Sequence, residues 1–212
     1  MKTMNARKMV VGAVGGVLFL SFATAAMAAP AQVSAAGFNQ DMRKLWEDHI
    51  TWTRVYIVAA LNDLPSKEAT AKRLLLNQTD IGDDIKPFYG NEAGLKLTAL
   101  LKDHILIAAE VIDAAKAGDE AKRAEASKRW YENSDDIAAF LGSLNPQSWP
   151  PAEMRPMLRE HLDTTAEEVS AGLKKDWTGD IRAYDKLHRQ ILKMADVLSS
   201  GIVEQFPDKF KN

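Results

Sequence analysis

Residues 38–60 read "FNQDMRKLWEDHITWTRVYIVAA", with Phe38, Met42, Leu45, His49, Trp52, Tyr56 and Ala60 following one another at steps of three and four. That spacing is one stripe of an amphipathic helix, and no strand-like alternation competes with it. One member of the stripe is out of character. His49 puts an ionisable imidazole where the pattern asks for a leucine.

Outward from this stretch the same periodicity continues between clear stops. "NDLPS" (62–66) ends the first helix, and Pro65 can open the second; "PFYGN" (87–91) ends that one, with Gly90 suited to a left-handed cap. "AGD" (117–119) joins a capping Gly118 to Asp119 as the next N-cap, "LNPQSWPP" (144–151) is the longest break, and "KKDWTGD" (174–180) is the last. The stops predict six helices near 38–62, 66–86, 92–117, 119–143, 151–173 and 177–205. Short links between long amphipathic helices predict an all-α, up-and-down antiparallel bundle built from three helical hairpins.

His49 is not alone. "LWEDH" ends at His49, "LLKDH" at His104 and "MLREH" at His161, and four residues further on stand Thr53, Ala108 and Thr165. The alternate helices carry "NQTDI" from Asn77, "NSDDI" from Asn133 and "DKLHR" from Asp185, with Asp80, Asp136 and His188 three residues on. The pattern reads as an internal repeat of three hairpins with one polar kit. His49 and Asn77 are equidistant from the first turn, His104 and Asn133 from Gly118, and His161 and Asp185 from the last turn. Antiparallel geometry therefore places all six groups near one level, about 18–21 Å from the turns at ~1.5 Å per residue. The acids before the histidines, Asp48, Asp103 and Glu160, point about 100° away and are expected at solvent or a helix flank.

Buried imidazoles need partners. One solution is a closed network that fixes helix register. The other is a ligand, most simply a divalent transition metal such as zinc, nickel, cobalt, copper, manganese or iron. On that reading His49, His104 and His161 are primary ligands, and His188, Asp185, Asp80 and Asp136 add coordination or orientation. Asn77, Asn133, Thr53 and Thr165 then contact the bound ligand. His188, a fourth imidazole where its counterparts are aspartates, favours the metal. Binding, buffering or sensing is expected ahead of catalysis, since no nucleophile stands out. The alternatives are a metal-dependent enzyme with an open coordination position and a metal-free envelope stress or scaffold protein.

The remaining sequence narrows the field. No cysteine is present, which removes disulfides and thiolate ligands. Glu-x-x-His pairs are missing, with Asp185-x-x-His188 the nearest approach, and so are HExxH, EF-hand, G-x-S-x-G and P-loop patterns. Residues 116–129, "KAGDEAKRAEASKR", read as a solvated face. Arg54, Arg73 and Arg129 flank the polar level and are expected in exposed ion pairs. Trp46, Trp52, Trp130, Tyr131 and Tyr184 fall on or beside the inward stripes and are expected in the core.

Lys2, Arg7 and Lys8 precede an apolar run and Ala26-Met27-Ala28, the order of a secretory signal cut after Ala28. Removing residues 1–28 leaves a tail at 29–37, one domain at 38–206 and a C-terminal tail at 207–212. The mature chain has 24 basic and 29 acidic residues, which offers nothing to nucleic acid. A periplasmic or secreted location is expected, without stable membrane insertion after cleavage.

"LWEDHITWTR", "RLLLNQTDIGDDIKPFYG", "DHILIAAEVIDAAKAGD", "DDIAAFLGSLNP" and "ADVLSSGIVEQFP" together resemble an exported bacterial helical-bundle family without an assigned function. The resemblance spans nearly all of the mature chain. It implies the exported location and the helix boundaries, and it implies no catalytic residue.

Overall fold

The computed structural model describes residues 33–210, so the signal segment and its cleavage after Ala28 lie outside the described residues. Five α-helices make up the fold: α1 Ala35–Leu61, α2 Lys67–Ala117, α3 Glu120–Leu144, α4 Pro151–Leu173 and α5 Trp177–Gln205, followed by a 3-10 turn at Pro207–Lys209. Each helix packs against its neighbours in the chain, and α5 closes the ring against α1. The result is an all-helical bundle. None of the helices among the described residues is long and apolar enough to cross a membrane.

The helix count differs from the expected six because α2 runs from Lys67 to Ala117 with a single non-helical residue, Gly90, at φ 85° and ψ 168°. Those angles are not the left-handed cap expected there; they belong to a region essentially reserved for glycine. The chain doubles back at this point. A Cβ built on Gly94 would stand 2.5 Å from the Gly82 carbonyl oxygen, and one built on Gly82 would stand 2.6 Å from the Gly94 carbonyl. Twelve residues of straight helix would hold those positions about 18 Å apart. Gly118 does adopt the left-handed cap, at φ 68° and ψ 19°, and Asp119 caps α3 by accepting from the Lys122 amide.

Helix starts elsewhere follow the same chemistry. Ser34 accepts from the Gly37 amide at 3.0 Å and begins α1 at Ala35, three residues before Phe38. Asp176 does the same for α5 through Gly179. Phe210, beyond the last turn, is buried against Phe38 and Phe88 with ring centroids at 5.3 and 5.5 Å, so the expected C-terminal tail is in part a plug for that end of the bundle.

The core divides unevenly. A large cluster, including Met42, Trp46, Ile50, Ile137, Leu187 and Met194, fills the bundle on one side of the histidines. A smaller one, built on Tyr56, Leu74, Ile105, Ile112 and Val169, lies on the other side.

Candidate functional site: three imidazoles at the closed end of a cavity

His49 on α1, His104 on the second limb of α2 and His161 on α4 converge in the interior. The His161 ring centroid lies 5.5 Å from that of His49 and 6.2 Å from that of His104. All three residues are buried. Each is delivered by an inward helix stripe, and each is served by a side-chain amide from the helix that follows it in the chain.

The amides share one anchoring bond. Asn77 donates to the Leu45 carbonyl at 3.0 Å, Asn133 to the Leu100 carbonyl at 3.1 Å and Gln190 to the Met157 carbonyl at 2.8 Å, over sequence offsets of 32, 33 and 33. In every case the acceptor is the residue four before the histidine. A backbone carbonyl can only accept, so each amide must turn its nitrogen outward to it and its oxygen toward the interior. Asn133 Oδ1 then meets His104 Nδ1 at 3.0 Å. Trp130 Nε1–H points at His104 Nε2 at 3.2 Å. The tautomer of His104 is thereby fixed from both sides, with the proton on Nδ1 and the lone pair on Nε2.

His49 and His161 have half of this arrangement. Their Nδ1 atoms are sealed from solvent without a hydrogen-bond partner, and so are the amide oxygens of Gln78 and Gln190. Asn77 Oδ1 is taken by Gln78 Nε2 at 3.1 Å, which makes Gln78 the amide beside His49. Gln190 stands beside His161 in the same way. A proton on each Nδ1 faces a bare oxygen and relieves both atoms. The opposite tautomer would set two lone pairs against each other at a cost of about 1–3 kcal/mol per buried group. His49 and His161 therefore share the His104 tautomer, which leaves the Nε2 lone pairs free.

All three histidines line a cavity of about 470 Å³, and with Nδ1 sealed in His49 and His161, Nε2 is the ring nitrogen left to address it. Its walls are apolar, formed by Tyr56, Leu74, Ile105, Ile112 and Val169, and small residues such as Ala108 and Ala166 keep it open. Exposed Glu120, Arg123 and Lys174 line its mouth. Thr53 and Thr165 line it too, with their hydroxyl hydrogens given to the His49 and His161 carbonyls at 2.7 and 2.9 Å. Burial holds the rings neutral. It lowers His49 to about 3, aided by the His104 charge and opposed by Gln78; it lowers His104 to about 4 against the Asn133 bond; and it takes His161 well below the usual range, with His49 and His104 adding to the effect.

The other expected ligands are elsewhere. His188 sits at the surface against Glu47 at 2.7 Å, Asp185 and Asp136 are exposed, and Asp80 stands near Arg73 at 3.9 Å on a helix flank. The reason is rotational. The buried faces centre between Asn77 and Gln78, between Asn133 and Ser134, and between Gln190 and Ile191, so Asp80 and Asp136 fall about 110° off centre. Asp185 is not the counterpart of the asparagines. Gln190 is, one methylene longer and 29 residues after His161, the separation of His104 and Asn133. That offset was the signal for it. Asn77 and Asn133 anchor and orient; they do not line the cavity. Among the described residues no three His, Asp or Glu side chains are placed to hold a metal ion as they stand.

Comparison with protein families, curated proteins and solved structures gives no match for this chain.

A second polar cluster escaped the sequence altogether. Arg54, expected in an exposed pair, bridges the sealed Glu168 at 2.6 Å and Asp180 at 2.5 Å beneath the Tyr184 ring, tying α1 to α4 and α5. Burial outweighs Arg54 and pushes Glu168 up to about 7. Arg129 pairs at the surface with Glu110 and Glu125, and Arg73 covers the Trp52 ring.

Proposed function

We propose that this protein binds a small, largely apolar molecule inside the bundle, seating its polar end on the imidazoles of His49 and His161. The observation that carries the reading is a cavity of about 470 Å³, apolar along its walls and lined at its closed end by the rings of His49 and His161. Pockets of roughly 300–1,000 Å³ with a few convergent polar groups are the usual form of small-molecule sites. Export through the N-terminal segment belongs to the same proposal and makes the function one of binding, buffering or sensing in the periplasm or outside the cell.

The test is saturation with N-phenyl-1-naphthylamine, followed by its fluorescence. One molecule should bind per chain, and Ala108→Phe and Ala166→Phe, which fill the cavity, should abolish binding while the far-ultraviolet circular dichroism is kept. Unchanged binding in both filled variants would overturn the proposal.

A divalent transition metal is the second reading, favoured by the amide oxygen behind every ring, the way metal-binding imidazoles are oriented in metalloproteins. It needs only His49 and His161 at first; His104 joins if Trp130 releases its Nε2. The carboxylates expected as ligands take no part. Elemental analysis of untagged protein and of the triple variant His49→Ala, His104→Ala, His161→Ala decides it: equal metal content in the two removes the metal.

A further inference from the structure

The chemistry of the cavity's closed end goes further than the presence of a ligand, because every polar atom offered there is an acceptor. Nε2 of His49 and of His161 carries a lone pair, since each Nδ1 keeps its proton for an amide oxygen, Gln78 in one case and Gln190 in the other. The Thr53 and Thr165 hydroxyl groups have donated to the His49 and His161 carbonyls and turn only lone pairs to the cavity. Of the two indole donors beside the histidines, Trp130 Nε1–H is committed to His104, and Trp46, next to the His49 ring, belongs to the packed cluster and does not line this cavity. Hydroxyls able to donate, those of Tyr56, Ser127 and Ser170, stand about two helical turns or more nearer the mouth. Arg123 at the mouth is paired with Glu120, and Lys174 is exposed.

We infer that the site selects hydrogen-bond donors: its ligand is an apolar molecule ending in a hydroxyl, an amine N–H or an amide N–H, inserted donor first. A carbonyl, an ether or a carboxylate at that depth would set lone pair against lone pair, and the buried acceptors on both sides would lose their water without replacement. The rings cannot adapt by switching tautomer, because the amides behind them are themselves held in one orientation, Gln78 by the Leu74 carbonyl and Asn77 Oδ1, Asn133 by the Leu100 carbonyl and Gln190 by the Met157 carbonyl. This inference rests on the cavity being a binding site, and the experiment below separates the two.

The measurement is calorimetric titration of the full mature chain with two isomers of equal size, 4-phenylbutan-1-ol and 3-phenylpropyl methyl ether, which differ in having or lacking an O–H. Water holds the alcohol more strongly than the ether, so burial alone favours the ether. The expected result is the reverse, an alcohol preference of about tenfold or more, equivalent to ~1.4 kcal/mol. Thr165→Val, nearly isosteric and expected to fold, should cut that preference severalfold, and His161→Phe should remove it. Equal binding of both isomers, or an ether preference, overturns donor selection and leaves the cavity reading standing. Failure of both isomers to bind at millimolar concentration overturns both. A preference undiminished in both Thr165→Val and folded His161→Phe also overturns donor selection, because the discrimination would then come from elsewhere.

Discussion

Asn133→Leu separates the polar chemistry of the histidine level from its packing, because leucine has the same four side-chain heavy atoms in the same branched arrangement as asparagine. In the wild-type protein Asn133 makes two bonds, one to the Leu100 carbonyl at 3.1 Å and one to His104 Nδ1 at 3.0 Å. Losing the first costs little, since a helical carbonyl retains its backbone partner. The second is different. Without the amide oxygen, His104 keeps a buried Nδ1–H with no acceptor. If its proton moves to Nε2, that hydrogen points at the Trp130 indole N–H, now 3.2 Å away donor to donor. No placement of the proton satisfies the ring, so the variant carries at least one unpaired buried group, worth about 1–3 kcal/mol. For a domain of this size each kcal/mol moves the melting temperature by about 2–4 °C, so a fall of about 4–8 °C is expected for a ~2 kcal/mol loss. Thermal melts followed at 222 nm, with denaturant titrations for the free energy, measure it. A cycle through His104→Phe should show a coupling of about 1–2 kcal/mol, because removing the ring removes the need for the amide. A melting temperature within 1 °C of wild type, or strictly additive single changes, would refute the reasoning.

Stability should depend on pH in a way that counts the buried groups. The histidines have folded pKa values below 6.5, so the unfolded chain takes their protons first and stability falls as pH drops below 6.5, the His49 and His104 contributions levelling off only near 3 and 4. Glu168 acts in the opposite sense, its contribution being present below 4.5 and lost as pH rises through about 7. Near pH 5.5 these four groups together take up about two protons on unfolding, a slope of about 2.7 kcal/mol per pH unit; denaturant titrations at pH 5, 5.5 and 6 test it, and a flat profile contradicts the assigned burial. Trp130→Phe should free His104 Nε2 and enlarge the rise in melting temperature caused by added zinc, whereas an unchanged rise would remove His104 from the metal reading. Gly90→Ala should cost about 1–3 kcal/mol through backbone strain alone, while Gly82→Ala should cost more, because its Cβ would meet the immovable Gly94 carbonyl; equal melting temperatures for the two would contradict the fold-back at Gly90.

Which features were legible follows from what sequence patterns encode. Helix periodicity and cap residues are local, so the all-helical class and most boundaries could be read from positions such as Asn62, Gly118 and Asp176. The convergence of His49, His104 and His161 was legible too, because equal distance from a turn fixes height in an antiparallel pair. Rotation about the helix axis was harder. Asp80, Asp136 and His188 were placed one turn along the same face, yet each lies two to three residues from a buried face centred between the amide and the residue after it, which leaves it on a flank. Gln190 was hidden by an expectation about residue type, since a longer amide reaches the same carbonyl as asparagine. Nothing local marked Glu168, whose partner lies 114 residues away.

A histidine level that served only to lock helix register should be closed on both sides. On the side of Trp46, Ile50, Ile137 and Leu187 the bundle is filled by large side chains, which is what register requires. On the other side the chain sets Ala108, Ala115, Ala166 and Ser170 against one another, and the volume they fail to fill is the cavity. Larger side chains there would add about 25 cal/mol per Å² of apolar surface buried, so the hollow forgoes stability that the packed side collects. The three rings that line the cavity are not equivalent. His104, with both nitrogens paired, behaves as a structural histidine, whereas in His49 and His161 Nδ1 is sealed against an amide oxygen and the Nε2 lone pair is left without a partner. A register lock accounts for the paired His104, but it gives no reason for two further imidazoles to be left beside unfilled space.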